Sequence, residues 1–491
     1  MATIPRSYLR PDARRPLAVA RCIGYLARLA AGPGRKPAHP ARMTQAPVDP
    51  NRRRGLRQVL DLLGVDSPAL WWSLLYFFCL LTGYYVLRPV RDAMGASGDV
   101  STVFPPAAVA WAAGLGIDLR GLTLQVLFTA TFLCMVALQP LYGALVSRFP
   151  RRVFLPLVYL VFIACLLGFR WLFEAQVDGR GAAFFVWVAV FNLFAVTVFW
   201  SFMADVFDNA SAKQVYGYIG AGGTVGALLG PVITRSLVER IGVGDLLLVS
   251  AGFLAVCLLC ILRLRRYAVA REHATPGPDG EVAMGGSVLA GLRLVWSDPL
   301  LRALAVLMFF GVGVGTLLYN EQANIARRFL DDASRTAYYA NLDLAINLLT
   351  IFVQVMLTRW LLRRFGVSPL LLVPAGAILL GFAVLAASPL PMLVWVVQVV
   401  TRASEFSLAK PARETIYTRV DREARYKAKA VIDTVVYRGG DLSFVWLHKL
   451  LAAWGSGVVF AAGVAVAACM GAGALRVVRA QRALPVQPPR G

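Results

Sequence analysis

Charged side chains recur at helical spacing inside long apolar stretches of this sequence. Tyr84, Arg88 and Arg91 stand at positions i, i+4 and i+7, and Asp92 follows directly. This spacing places the three side chains on one face of a helix. The planar guanidinium group donates two hydrogen bonds at once and suits phosphate or carboxylate. These residues therefore predict the binding of an anion.

Three further stretches carry the same kind of polar face, and Glu321 closes another. Their members are Asp343, Asn347, Thr350 and Gln354; then Gln398, Arg402 and Glu405; then Thr434, Arg438, Asp441 and His448, with Asp433 adjacent. A charge at the centre of a helix in lipid costs about 2.5–3.5 kcal/mol, whereas a central Leu or Val contributes only about 0.3–0.6 kcal/mol. We expect these charges to face a water-filled cavity. Ion pairs that lock the helices together, such as Arg402 with Glu405, are the alternative.

The composition makes lipid the solvent for most of the chain. Of 491 residues, 58% are hydrophobic and 16% are charged, against about 25% charged in soluble domains. These figures exclude a disordered or fibrous protein. The net charge of +23 would indicate nucleic acid in a soluble protein. Here the basic residues lie in loops between apolar segments, so we expect a lipid bilayer and no nucleic acid as partner.

Twelve stretches are long and apolar enough to span a bilayer. They are 69–93, 121–147, 152–173, 182–206, 214–237, 243–263, 300–321, 338–362, 367–388, 390–411, 429–453 and 455–476. The predicted fold is all-α and integral to the membrane, with two six-helix bundles. The domains follow as a basic, disordered tail (1–68), a first bundle (69–263), a central cytoplasmic loop (264–299), a second bundle (300–476) and a cytoplasmic tail (477–491).

Loop charges predict the orientation. With both termini in the cytoplasm, the inner loops carry about twenty Lys and Arg residues and the outer loops about eleven, as the positive-inside rule requires. The first 60 residues hold thirteen Lys and Arg against two Asp, a net +11. A disordered cytoplasmic tail, an organellar transit peptide and translation from Met43 are all compatible with that segment.

A weak internal repeat supports a transporter. Residues 145–149 (LVSRF) and 361–365 (LLRRF) are 216 positions apart, about one six-helix half. Parallel halves around a central cavity, with the substrate near the midplane, are a transporter architecture. This arrangement of two halves in one chain is compatible with a monomeric transporter.

Other patterns indicate structure rather than chemistry. Gly222, Gly226 and Gly230 form a GxxxGxxxG ridge that predicts close helix packing. The sequence has no P-loop, so we expect no ATP-driven pumping by this chain alone. Its three histidines are scattered and its cysteines lie mostly in apolar runs. We expect no metal, no cofactor and no enzyme activity, since no nucleophile or acid–base set converges at a membrane face.

Several motifs resemble the nucleotide (ATP/ADP) exchangers of plastids and intracellular bacteria. They are Phe199–Phe202, Ala212–Gly220, Tyr319–Glu321, Leu87–Asp92 and, most specifically, Lys410–Tyr417 with Asp421, Lys427–Asp433 and Arg438. The resemblance covers roughly residues 69–476. It implies a major-facilitator-like fold, the exchange of ATP against ADP, and substrate contact for Arg91, Glu321 and Lys429. The sequence looks like a divergent bacterial branch of that family, which implies a bacterial inner membrane.

The sequence departs from the exchanger pattern at four places. Arg91 and Arg413 stand where the exchangers carry Lys, and Asp441 stands near an expected Lys. The fourth span has Asn192 but no acid before Trp200, where the exchangers carry Glu. These departures leave a second interpretation open, the proton-linked transport of another organic anion or a drug.

We predict a secondary transporter of an anionic small molecule, with ATP and ADP as the first candidates. Arg88, Arg91, Glu321, Lys429 and Arg438 are the predicted substrate-binding residues. The predicted charge-pairing or coupling residues are Asp92, Asp343, Asp433, Asp441, Arg402, Glu405, Arg413 and Glu414. When the site is empty, the acids limit the cost of unpaired buried cations. A membrane-embedded transferase and a receptor or scaffold are the alternatives from other classes.

Overall fold

The computed structural model describes residues 68–148, 151–207, 209–274, 288–329, 331–417, 428–429 and 431–483. Within these residues the regular secondary structure is helical. Most of the predicted N-terminal tail, part of the central loop and the end of the C-terminal tail lie outside the described residues.

The first group of helices runs to residue 274. It comprises α1 (Pro68–Gly95), the short α2 (Val100–Val103) and α3 (Pro106–Gly114), a 3-10 turn (Arg120–Leu122), α4 (Thr123–Arg148), α5 (Arg151–Glu174), α6 (Arg180–Val206) and α7 (Asn209–Ala274). Helix α7 is broken at Gly242, whose φ of 78° is open to glycine without strain. We call α1–α7 the N-terminal helices.

The second group begins at residue 288, and we call it the C-terminal helices. It comprises α8 (Val288–Ser297), α9 (Pro299–Ala326), α10 (Asp332–Val353), α11 (Arg359–Phe365), α12 (Ser368–Ala387), α13 (Pro391–Ser404), α14 (Lys410–Tyr417), α15 (Tyr437–Ala452) and α16 (Ser456–Ala483). Three π-helical segments, Gln354–Thr358, Glu405–Ala409 and Ile432–Val436, interrupt or precede these helices. Such segments are frequent at functional sites.

Ten helices in the described part of the chain are long and apolar enough to cross a membrane. One of them, Val215–Val269, is 55 residues long and contains both predicted spans on either side of Gly242. The helix α15 is not among the ten, although the predicted span 429–453 covers it. An all-α integral membrane fold is therefore confirmed, and the count of twelve spans stays a prediction.

The predicted glycine ridge packs helix against helix. A methyl group on Gly226 would lie 2.4 Å from the carbonyl oxygen of Phe78, and one on Gly230 would lie 2.5 Å from Cβ of Tyr85. The backbones of α7 and α1 therefore touch. The hydroxyl of Ser250, on the second half of α7, donates to the carbonyl of Gly83 at 3.0 Å. Both halves of α7 thus hold α1 in place.

The two groups of helices meet at one end of the bundle, which we call the closed end. A buried apolar cluster there joins Ala93, Leu124 and Phe185 of the N-terminal helices to Tyr339 and Val445 of the C-terminal helices. These residues lie where α1 ends and where α4, α6 and α10 begin. The chain enters α1 and leaves α16 at the opposite end.

Candidate functional site

A central cavity of about 850 Å³ lies between the N-terminal and the C-terminal helices. Its wall is formed by α1, α4, α6 and α7 on one side and by α9, α10, α13, α14 and α15 on the other, together with two of the π segments. The volume is within the range of small-molecule sites, about 300–1,000 Å³. A cavity between the helices, as the sequence predicts, is therefore present.

Two kinds of side chain dominate the wall. The charged ones are five cations and two carboxylates, a formal excess of +3: Arg88, Arg91, Arg402, Lys410, Arg438, Glu414 and Asp441. Nine are aromatic. Six of them form an aromatic wall on the N-terminal helices: Phe77, Tyr84, Tyr85, Phe128, Phe132 and Phe185. The other three, Tyr319, Phe406 and Tyr437, belong to the C-terminal group. The cavity can therefore hold an anion that also carries a flat or apolar part.

The cations of α1 are bound to buried carboxylates. Nη1 of Arg88 lies 3.2 Å from Oδ1 of Asp343, on α10. Asp92 accepts hydrogen bonds from Nε of Arg91 at 2.9 Å and from the hydroxyl of Tyr319, on α9, at 3.0 Å. Nε of Arg88 is 4.0 Å from the second oxygen of Asp92. These groups therefore connect the N-terminal helices to the C-terminal helices.

The charges of the C-terminal helices are paired differently from their spacing in the sequence. Glu405 is bound by Nη1 of Arg413 at 2.7 Å rather than by Arg402, three residues before it. The helix changes from α to π at Glu405. Because a π turn contains more residues than an α turn, the (i, i+3) geometry that aligns an α-helical pair is lost there.

Two more ion pairs lie near the same wall. Nζ of Lys429 is 2.7 Å from Glu414. Nη1 of Arg438 is 3.4 Å from Oδ2 of Asp441, and the hydroxyl of Thr316 donates to Oδ1 of Asp441 at 2.9 Å. Glu414 and Asp441 are therefore each paired with a different cation, and their role in transport stays a prediction.

A side cavity of about 340 Å³ adjoins the central one within the C-terminal helices. The two share eight lining residues: Thr316, Arg402, Phe406, Lys410, Glu414, Tyr437, Arg438 and Asp441. The far wall is apolar and includes Leu307, Leu371 and Met470. Glu405, Arg413 and Asp433 face this side cavity.

Two predicted substrate-binding residues line neither cavity. Glu321 is buried at the closed end, where its carboxylate lies 2.7 Å from Nε2 of His448 and accepts a hydrogen bond from Ser456 at 2.9 Å. Lys429 is engaged by Glu414 and is about one-third exposed. Of the other three predicted residues, Arg88, Arg91 and Arg438 line the central cavity.

Sequence reasoning missed Lys410 as a site residue and missed the aromatic wall. Lys410 was visible as the first residue of the most specific motif. Phe128 and Phe132 are four residues apart in the second predicted span, the spacing of one helix face, but aromatic residues are frequent throughout the chain. Within the described residues no cluster of three or more His, Cys, Asp or Glu side chains could hold a metal ion.

Comparison with known proteins agrees with this geometry. Residues 116–440 match the Major Facilitator Superfamily. An ADP,ATP carrier protein 1 of Chlamydia muridarum (strain MoPn / Nigg) is 25% identical over 428 residues, which cover 74% of this chain and 78% of that protein. The plastidic ATP/ADP-transporter of Solanum tuberosum is 22% identical over 402 residues, covering 73% and 63%.

Solved structures share the fold. The nucleoside transporter NupG has a TM-score of 0.57 at 13% identity and covers 84% of this chain and 100% of its own. The POT family transporter PepTSo has a TM-score of 0.56 at 13% identity, with 84% and 97% covered. The resemblance to the ATP/ADP exchangers is thus confirmed, and the protein is a secondary membrane transporter rather than an enzyme. Since the family match spans 325 of its 491 residues, the chain belongs to the Major Facilitator Superfamily.

Proposed function

We propose that this transporter exchanges ATP for ADP across a bacterial inner membrane by alternating access. The observation that carries the proposal is the central cavity, whose wall has a formal excess of three positive charges beside a row of aromatic rings. Nucleotides present an anionic chain and a flat base, which these two surfaces match. The relatives named as ADP,ATP carriers support the same substrate class.

Obligatory exchange follows from the charge of the empty cavity. Cations in a low-dielectric site repel one another, and closing the cavity around them without an anion would require their desolvation. A bound nucleotide supplies the missing negative charge. We therefore expect the loaded carrier to change conformation much faster than the empty one.

The proposal includes twelve spans in two six-helix bundles with both termini in the cytoplasm. At the closed end, the N-terminal and C-terminal helices are joined through Gln125 with the carbonyl of Val445 (3.1 Å) and Trp446 with Thr129 (3.3 Å). Beside the central cavity, Asn347 donates to the carbonyl of Ala227 at 2.8 Å. With the predicted orientation, the closed end faces the periplasm. The structure then corresponds to an inward-facing state.

The test is counterflow in proteoliposomes. Purified protein is reconstituted into vesicles preloaded with unlabelled ADP, and uptake of labelled ATP is followed. We expect uptake that requires internal nucleotide and is lost when the vesicles are preloaded with buffer alone. Uptake no higher than in protein-free vesicles would exclude the nucleotide proposal.

A second candidate function is proton-linked transport of another organic anion. The observation that favours it is Asp343, which is buried and whose Oδ2 has no hydrogen-bond partner among the described residues. A buried acid with a free oxygen is suited to exchanging a proton. Uptake driven by an imposed pH gradient without internal substrate would favour this function over exchange.

A further inference from the structure

Arg402 occupies the junction of the two cavities. It lies near the end of α13, just before the π segment, and lines both the central and the side cavity. Its guanidinium carbon is 3.9 Å from the place where a Cβ on Gly315, on α9, would stand. The guanidinium group therefore lies over a part of α9 that has no side chain.

Arg402 also differs from the other cavity arginines in its partners. Arg88, Arg91 and Arg438 each have a carboxylate within 4.0 Å. In the described part of the chain, no carboxylate oxygen lies within that distance of Arg402 or of Lys410, and Nε of Arg402 is buried without an acceptor. Glu405 is the acid closest to Arg402 in the sequence, but it forms its ion pair with Arg413.

We propose that Arg402, together with Lys410 and Arg438, binds the anionic end of the substrate. An anion at Arg88 has to compete with Asp343 and would weaken a pair that joins the two groups of helices. At Arg402 it meets a cation whose donors are not used by a carboxylate, so binding there breaks no existing ion pair. Arg438 is paired with Asp441 at 3.4 Å, but that pair lies within α15 and does not join the two groups of helices. This inference rests on the proposed transport of a nucleotide for the identity of that anion.

The proposal fixes the direction of the substrate in the cavity. Arg402, Lys410 and Arg438 belong to the C-terminal helices, whereas the aromatic wall, including Phe128 and Phe132, belongs to the N-terminal helices. The phosphate chain then lies on the C-terminal side and the base packs against the rings on the N-terminal side. One substrate molecule thereby contacts both groups of helices, so its binding can change how the two groups are held together.

The experiment compares binding of three probes to purified full-length protein: inorganic tripolyphosphate, ATP and adenosine. We expect Arg402→Gln to weaken tripolyphosphate and ATP binding about 10- to 100-fold, the loss typical of one charge-assisted bidentate contact, and to leave adenosine binding unchanged. The control Arg364→Gln removes a cation that stacks on Trp360, away from both cavities, and should bind all three probes as the wild type does.

A second variant at the same position distinguishes a loss of binding from a failure to fold. Arg402→Lys keeps the charge but loses the planar fork, so it should fold and bind tripolyphosphate several-fold more weakly than the wild type. If Arg402→Lys binds as the wild type does, and Arg402→Gln is either equally unaffected or unfolded, the inference is overturned. If the wild type binds tripolyphosphate but shows neither ATP binding nor counterflow, only the nucleotide proposal is refuted. If the wild type binds neither tripolyphosphate nor ATP, the nucleotide proposal and the role of Arg402 are both refuted.

Discussion

Replacing Asp343 by Asn should loosen the closed end of the transporter. Asp343, on α10, pairs with Arg88, on α1: its Oδ1 lies 3.2 Å from Nη1 of Arg88. The Asp343 side chain is only 4% exposed. Asparagine has nearly the same shape but no charge. The variant therefore removes an ion pair between the two groups of helices without leaving a cavity.

The size of the effect follows from burial. Removing one partner of a buried ion pair costs about 3–5 kcal/mol. The Arg88 side chain is 15% exposed and retains Asp92 at 4.0 Å, so we take the lower end, about 3 kcal/mol. Once the closed end has opened, the pair is separated in either protein. The variant should therefore shift the equilibrium toward opening by about 100-fold.

Distance measurements between spin labels can follow this shift. Arg120 and Leu450 are exposed positions in the N-terminal and C-terminal helices. They flank a close contact of Lys449, whose Nζ would lie 2.8 Å from a Cβ on Gly121. In a cysteine-depleted background, labels at Arg120 and Leu450 should show one short distance in the wild type and a longer, additional distance in Asp343→Asn.

Two further variants calibrate the result. Tyr319→Phe removes one hydrogen bond to Asp92, worth about 0.5–1.5 kcal/mol, so its shift should be smaller than that of Asp343→Asn. Asp332→Asn removes a carboxylate that pairs with Arg335 inside α10 itself, and the label distance should not change. An unaltered distance distribution in folded Asp343→Asn would show that the ion pair does not hold the closed end.

Three other outcomes are expected. Glu321→Gln should lower the thermal midpoint of unfolding, because Glu321 is bound by His448 inside the protein. Nucleotide affinity should stay within about threefold of the wild type, a factor worth less than 1 kcal/mol. A large loss of affinity at unchanged stability would instead show that Glu321 is a substrate ligand. Asp331→Ala should destabilise the start of α10 by about 1 kcal/mol. The backbone N–H of Ser334 donates to the carboxylate and holds the pKa of Asp331 below its usual 3.8. This contribution is therefore present above pH 3.8 and should vanish as the pH falls through the lowered pKa, which thermal melts of both proteins across pH would show. Gly226→Ala should lower the yield of folded protein in detergent because its methyl group meets the backbone of α1, whereas Gly252→Ala, with nothing within 4 Å, should not.

Much of the fold was predictable because it depends on local sequence. Membrane spans are continuous apolar runs, and the bilayer imposes their length and their helical hydrogen bonding. The GxxxGxxxG ridge was readable for a similar reason, since small residues four apart must share one helix face. The two spans on either side of Gly242 were separable by their pattern, and the structure breaks the helix between them at that residue.

The candidate site was only partly predictable. The anion-binding character came from residue types, because an arginine in an apolar run must face a partner or water. Arg88, Arg91 and Arg438 do line the cavity, as we predicted for binding residues. Glu321 lies apart from it, since its position at the end of α9 brings it to His448, 127 residues later in the chain.

The sequence by itself determined that the chain crosses a membrane and that its apolar spans carry charged residues of a type that suits an anion, because hydropathy and residue chemistry are properties of short segments. Only the tertiary structure decided which of the possible ion pairs form. That choice depends on distances between helices and on the π segment at Glu405, which turns this acid toward Arg413 and leaves Arg402 without a carboxylate within 4.0 Å in the described part of the chain. Pairs within one helix, such as Arg88 with Asp92 and Arg438 with Asp441, follow from spacing in the sequence. The pair of Arg88 with Asp343 does not, because it is set by the packing of two helices.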